Sequence, residues 1–297
     1  MDSDLILERV DKQLQKLFPE LSSRHIEEAI EAGWVTAEGK KVRKGDRLRG
    51  NQLQCLSLQR HVSELRKGNP DIKLPIVWEG KTEWIIDKPA GMPSHPLSLF
   101  ERETPTQWAF ARIPEMWKEF PTVQPTVAPH RLDTGTSGVL VVCKSYESYL
   151  NWRGRFQSKS VHKKYLAWCF GKAPSKKLLI DLPIAHSPQD SRLMVAIKNQ
   201  EKVRPPIQEA VTQATLRREE KEMSLWEIEC TTGVTHQIRV HLASMGLPLV
   251  GDSLYDPDYG TRQLKPKYHQ LRAFELSWEG TTVVAPSELF EKVPFTV

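Results

Sequence analysis

The chain has 297 residues, of which 39% are hydrophobic and 27% charged, with a formal net charge of +5. These values are ordinary for a soluble globular protein of two domains or one large one, and the charge leans only mildly toward a polyanionic partner. Four cysteines (Cys55, Cys143, Cys169, Cys230) without a C-x-x-C pair argue against a zinc ribbon or disulfide framework. A mixed acidic start and short apolar runs argue against a secretory signal or membrane span. The expectation is a reduced, cytoplasmic protein.

The first stretch predicts helix, helix, hairpin. Val10, Leu14, Leu17 and Phe18 recur at helical spacing before Pro19 stops them. Ser22 or Ser23 caps a second helix carrying Ile26, Ala29 and Ile30, which Gly33 ends. "WVTAEGKKV" then predicts two short strands turning at Glu38-Gly39. Charge is lopsided here: Met1 to Glu38 holds four Lys/Arg against nine Asp/Glu, whereas Gly39 to Lys67 holds nine against two. A solvated face is the plain explanation, and a phosphate-contacting surface built on Lys40, Lys41, Arg43 and Lys44 is the functional one. The stretch "RVDKQLQKLFPELSSRHIEEAIEAGWVTAEGKKVRKGDRL" resembles the S4 RNA-binding domain. That resemblance implies a second helix and basic hairpin lying against an RNA backbone. The expected boundaries are an S4-like module at 1–60, a linker at 61–74 containing Gly68 and Pro70, and a larger domain at 75–297.

From Ile76 onward apolar segments lengthen ("PIVWEGKTEWIIDKP", "GVLVVCKS", "KYLAWCFG", "LWEIECTTG") without strict βαβ alternation. The pattern predicts α+β with a large mixed, mostly antiparallel sheet flanked by helices. In "APHRLDTGTSGVLVVCKS", Asp133 sits on a bend bordered by Gly135 and Gly138, just before an apolar strand. An Asp in a turn is commonly a turn-former. A rigid strand directly behind it would also fix a nucleophile or general base in one geometry. In "TTGVTHQIRVHLASMGLPLVGD", Thr235 is the expected N-cap and Gly246 the C′ residue of a helix. His236 and Arg239 are three apart and share a face, and His236 and His241 are too poorly spaced for a metal pair. Ser148 to Ile180 carries eight Lys/Arg and no acid, interleaved with Trp152, Phe156, Tyr165 and Trp168. Cations neutralise phosphates and aromatics stack unpaired bases. Trp168 and Phe156 are expected in the core.

Four blocks together resemble a pseudouridine synthase of the RluA type: "DKPAGMPSHP", "HRLDTGTSGVLVVCK", "KKYLAW" and "TGVTHQIRVHLASMGLPLVGDSLY". An S4-like module ahead of such a domain is that family's usual layout. The resemblance implies isomerisation of uridine in rRNA, above all 23S, or in tRNA, with no cofactor and no metal. It implies Asp133 as nucleophile, Tyr165 stacked on a flipped base, and Arg239 paired with Asp133. Arg131 enters the RNA where the uridine left, and His130, Lys163, Lys164 and His236 join it in RNA binding. Val234 stands where the family usually has Arg, and Cys143 where it usually has Ala. The alternative is an impaired homologue acting as an RNA-binding or ribosome-assembly factor. An aspartate glycosidase ranks last, because it needs a second carboxylate about 5–10 Å from the first; Asp87 and Asp252 are the candidates in the blocks. The expected partner is structured RNA, with no membrane and no nucleotide, and a monomer suffices.

Overall fold

The computed structural model describes residues 7–120, 126–199, 202–230 and 232–292. The chain divides into two compact units. One gathers the stretches up to Lys73, His95–Ala128 and Val142–Tyr149, and the other gathers Leu74–Ser94, Pro129–Val141 and the chain from Leu150 on. The division differs from boundaries at 60 and 75, since two later segments group with the amino-terminal residues.

In the first unit, helices Val10–Leu17 and Ser23–Glu31 form where the apolar spacing placed them. Ser22 caps the second, its Oγ accepting from the His25 N–H at 3.2 Å. Gly33 ends that helix at φ +74°. The strands Thr36–Ala37 and Lys40–Lys41 pair antiparallel, and Glu38 and Gly39 both take positive φ in the turn. Val10, Leu14, Ile26 and Ile30 make the core, with Leu58, Val62 and Leu65 from a third helix, Leu56–Leu65. That helix runs into the stretch expected to be a linker: Gly68 and Pro70 mark a break, but the three apolar residues before them recur at helical spacing. Leu99 joins the same core.

The second unit is organised by a nine-stranded sheet. In spatial order its strands are Lys177–Asp181, Val211–Glu220, Met223–Cys230, His162–Phe170, Leu271–Trp278, Ser137–Cys143, Glu83–Lys88 and Ile76–Glu79, with Thr281–Val284 also paired to Leu271–Trp278. Pairing from Lys177–Asp181 across to Leu271–Trp278 is antiparallel, whereas Leu271–Trp278 meets Ser137–Cys143 in parallel. At that parallel pairing Gly138 has φ +114°, and a Cβ there would stand 1.9 Å from the Ala273 carbonyl oxygen. Only glycine lets the two backbones approach so closely. The strand His162–Phe170 alternates. Leu166, Trp168 and Phe170 enter an apolar cluster with Leu225 and Val250, while Tyr165 faces the other way. A smaller sheet of Met194–Ala196, Ile184–His186 and Arg204–Gln208 packs, through Ile184 and Met194, on Val240 of the helix Gln237–Ser244. Among the described residues, no helix is long and apolar enough to cross a membrane.

Candidate active site

Asp133 sits on the turn entering the strand Ser137–Cys143, and five hydrogen bonds hold that turn. Ser94 Oγ donates to the Leu132 carbonyl at 2.8 Å and accepts from the Leu132 N–H at 2.9 Å. The Thr136 N–H closes the turn onto the Asp133 carbonyl at 2.9 Å. Thr136 Oγ1 meets His269 Nε2 at 2.9 Å, and Gly135 leaves room for that ring, which a Cβ would approach to 2.7 Å. His130 Nε2 accepts from the Val141 N–H at 3.1 Å, tying the chain before Asp133 to the strand after it. His130 is therefore neutral and structural: burial, with Lys163 nearby, holds its pKa well below the ordinary value.

Arg239 reaches the turn from the helix Gln237–Ser244. Its Nη1 donates to Asp133 Oδ2 at 3.2 Å, while Nε and Nη2 clamp both oxygens of Asp252 at 2.8 Å each. The Asp252 side chain is 0% exposed, that of Arg239 6% and that of Asp133 18%. Burial works against the charge on Asp252, but the hydrogen bonds and charge of Arg239 outweigh it and hold the carboxyl below its usual range. His236 Nε2 approaches the same Asp133 oxygen at 3.8 Å, and its Nδ1 lies 2.8 Å from the Tyr255 hydroxyl. Oδ2 is thus the held oxygen; among the described residues no hydrogen bond is made to Oδ1.

The helix begins later than expected. Thr235 does not cap it; His236 occupies the cap position at φ 56° without a side-chain cap bond. Gln237 explains the shift, since its Oε1 accepts from the Val234 N–H and the Thr232 hydroxyl at 3.1 and 2.9 Å. Its Nε2 donates to the Val211 carbonyl and to Thr212 Oγ1. The backbone before the helix is held by this side chain rather than by a threonine cap.

A cavity of about 550 Å³ collects Asp133, Tyr165, Arg239, Arg131, Lys163 and His236, within the range of small-molecule sites. Tyr165 is buried, and burial raises its pKa, so it is a neutral phenol at neutral pH. Lys163 Nζ lies 5.7 Å from the Phe156 ring centroid, and Phe156 lines the cavity rather than the core as expected. Trp168, expected in the core, is fully buried there. Lys164 points to the other face of its strand, against Glu275 at 3.3 Å and Glu229 at 3.9 Å, because neighbouring strand residues face opposite ways. Lys41, Arg43 and Lys44 of the first unit line a separate hollow with Glu27 and Glu31, Lys44 pairing with Glu27 at 3.3 Å, and Lys40 is exposed on the hairpin.

The sequence did not assign roles to the side chains that hold this site: Asp252 on Arg239, Tyr255 on His236, and His269 on Thr136. Lys88 is another. It is fully buried, donates to the Pro89 and Met92 carbonyls at 3.0 and 2.7 Å, and is brought down to about 8 by burial, partly opposed by Asp133 and Asp87. Asp87 is clamped by Arg272 at 2.7 and 3.0 Å. Both candidate second carboxylates are therefore neutralised by arginines, as a glycosidase acid would not be. Among the described residues no group of three or more His, Cys, Asp or Glu is placed to hold a metal ion.

A sequence profile described as RNA pseudouridylate synthase matches residues 83–244, more than half of the chain. The chain belongs to the RNA pseudouridylate synthase family. It is a pseudouridine synthase, an isomerase that acts on RNA. The chain is 34% identical over 251 residues to ribosomal large subunit pseudouridine synthase D of Xanthomonas campestris, covering 83% of this chain and 71% of that one. To the Pseudomonas aeruginosa protein of the same description it is 32% identical over 250 residues, covering 84% and 73%. Human RNA pseudouridylate synthase domain containing 1 shares the fold at a TM-score of 0.59 and 23% identity, over 72% of this chain and 83% of that one.

Proposed function

We propose that this synthase converts a uridine of large-subunit rRNA to pseudouridine, with Asp133 as the nucleophile acting on a flipped nucleotide. The observation that carries the assignment is the state of Asp133: one oxygen held by Arg239 at 3.2 Å, the other without a hydrogen bond among the described residues, inside a cavity shared with Tyr165. A target base is out of reach while stacked, so the nucleotide turns out of its helix before reaction. The N1–C1′ glycosidic bond then breaks, the uracil turns, and C5 bonds to C1′. The proton leaves C5 and one is gained at N1, so composition and redox state are unchanged. Tyr165, a neutral phenol facing the cavity, packs on the base; Arg239 keeps Asp133 ionised and oriented. Arg131, lining the cavity, enters the RNA where the uridine left, and Lys163, also lining it, takes a flanking phosphate.

The first unit is read as an S4-like RNA-binding module, on its paired helices and the basic hairpin bearing Lys40, Lys41, Arg43 and Lys44. The protein acts in the cytoplasm, where its four free cysteines stay reduced. Large-subunit rRNA is preferred to tRNA because relatives from two bacteria carry that description. The test is tritium release from transcripts of 23S rRNA and of tRNAs labelled at uridine C5, comparing wild type with Asp133→Asn. Release from rRNA by wild type alone is expected. Tight RNA binding without release would favour an assembly factor, with Val234 as the site of lost activity; release by Asp133→Asn would refute the nucleophile.

A further inference from the structure

The Asp133 nucleophile has one direct ionic partner on the helix Gln237–Ser244, and that partner has more contacts elsewhere than with Asp133. Arg239 spends two of its three guanidinium nitrogens on Asp252, in a planar two-bond clamp at 2.8 Å each, and only Nη1 on Asp133. Asp252 itself is fixed. It is 0% exposed, and its Oδ1 also accepts from the Leu254 and Tyr255 N–H groups at 3.0 and 3.3 Å. The Tyr255 ring lies 5.0 Å from the guanidinium carbon. A fork held at two prongs has no freedom at the third. The direction of Nη1, and with it the position of Asp133 Oδ2, is set from the turn that carries Asp252.

We propose that Asp252 is a positioning residue for the isomerisation: its buried carboxylate orients Arg239 so that the guanidinium holds Oδ2 of Asp133 and leaves Oδ1 for the nucleotide. The inference rests on Asp133 as the nucleophile. Asp252 touches neither substrate nor reacting atoms; it acts through Arg239. An asparagine in its place would direct amide N–H donors at guanidinium N–H donors, and a glutamate would keep the charge while displacing the fork by one methylene.

The experiment is single-turnover tritium release from 23S rRNA transcript with enzyme in excess, beside filter binding to the same RNA. Asp252→Asn is expected to slow release at least tenfold with the Kd for RNA within twofold of wild type, and Asp252→Glu to stay folded with a smaller loss of the same kind. In an Arg239→Gln background, Asp252→Asn is expected to slow release less than twofold further, since residues acting through one another are not additive. A purely structural Asp252 would lower Tm but leave the turnover of the folded fraction at the wild-type rate, which overturns the proposal. So would full additivity with Arg239→Gln, or wild-type turnover by folded Asp252→Glu. If Asp133→Asn still releases tritium, the nucleophile assignment itself has failed; if Asp133→Asn is inactive while the Asp252 variants turn over normally, the positioning role alone has.

Discussion

Replacing Arg239 by alanine should damage the fold as much as the chemistry. The arginine side chain is 6% exposed and stands between one carboxylate that is 0% exposed and another that is 18% exposed. Deleting it strands the Asp252 charge in the interior with two backbone N–H groups and no counter-charge. Breaking a buried ion pair from one side costs about 3–5 kcal/mol, far above the value below about 1 kcal/mol typical of a surface pair. For a unit of this size each kcal/mol is worth about 2–4 °C, so Tm should fall by roughly 10 °C. Asp133→Asn, at a partly exposed position with one 3.2 Å bond to lose, should move Tm far less. The assay is thermal unfolding followed by circular dichroism at neutral pH. Its decisive arm is the double variant Arg239→Met with Asp252→Asn, which removes both charges and should recover much of the lost Tm. An Arg239→Ala protein that melts with wild type, or a double variant no more stable than the single, would refute the reasoning.

Acid should weaken the fold through buried histidines. Burial, with Arg239 nearby, brings His269 down to about 4, against about 6.5 in an unfolded chain. Between those values the unfolded state binds a proton that the folded state does not. Its contribution, about 3 kcal/mol, is therefore complete above ~pH 6.5 and lost as pH falls toward ~4. Urea unfolding at ~pH 7 and ~pH 5 should show the loss, and His269→Gln should reduce it without abolishing it, because His130, His236 and His241 are shifted the same way. Gly138→Ala should cost at least about 2 kcal/mol, through its positive φ and the clash with the Ala273 carbonyl, read as a lower urea midpoint; an unchanged midpoint would mean the two strands can part without penalty.

Local chemistry made much of this legible. Ser22 as a cap, the Glu38-Gly39 turn, and the placing of Asp133 on a bend before a rigid strand all follow from residues within a few positions of each other. Arg239 and Asp133 meet as the family resemblance implied. What escaped depends on partners distant in sequence. Asp252 appeared only as a spare carboxylate, because nothing near it says that a guanidinium thirteen residues away will take both its oxygens. Thr235 reads as a cap until Gln237 folds back to serve the same backbone. Lys163 and Lys164 read as one basic pair; the strand's alternation gives one to the cavity and the other to Glu275 and Glu229. Phe156 reads as a core aromatic flanked by cations, although its ring lines the site.

That alternation also determines where insertions and deletions can survive. The strand His162–Phe170 is hydrogen-bonded on both sides, to Met223–Cys230 and to Leu271–Trp278, so its frame is fixed by two neighbours at once. Losing or gaining one residue before Tyr165 would turn the phenol toward the apolar cluster of Leu166 and Trp168 and bring a lysine or leucine to the cavity. Length changes should therefore accumulate in loops such as 171–176, beyond the strand's end. Within the three strands, a single-codon indel would remove the cavity-lining face even where every side chain of the site is still encoded.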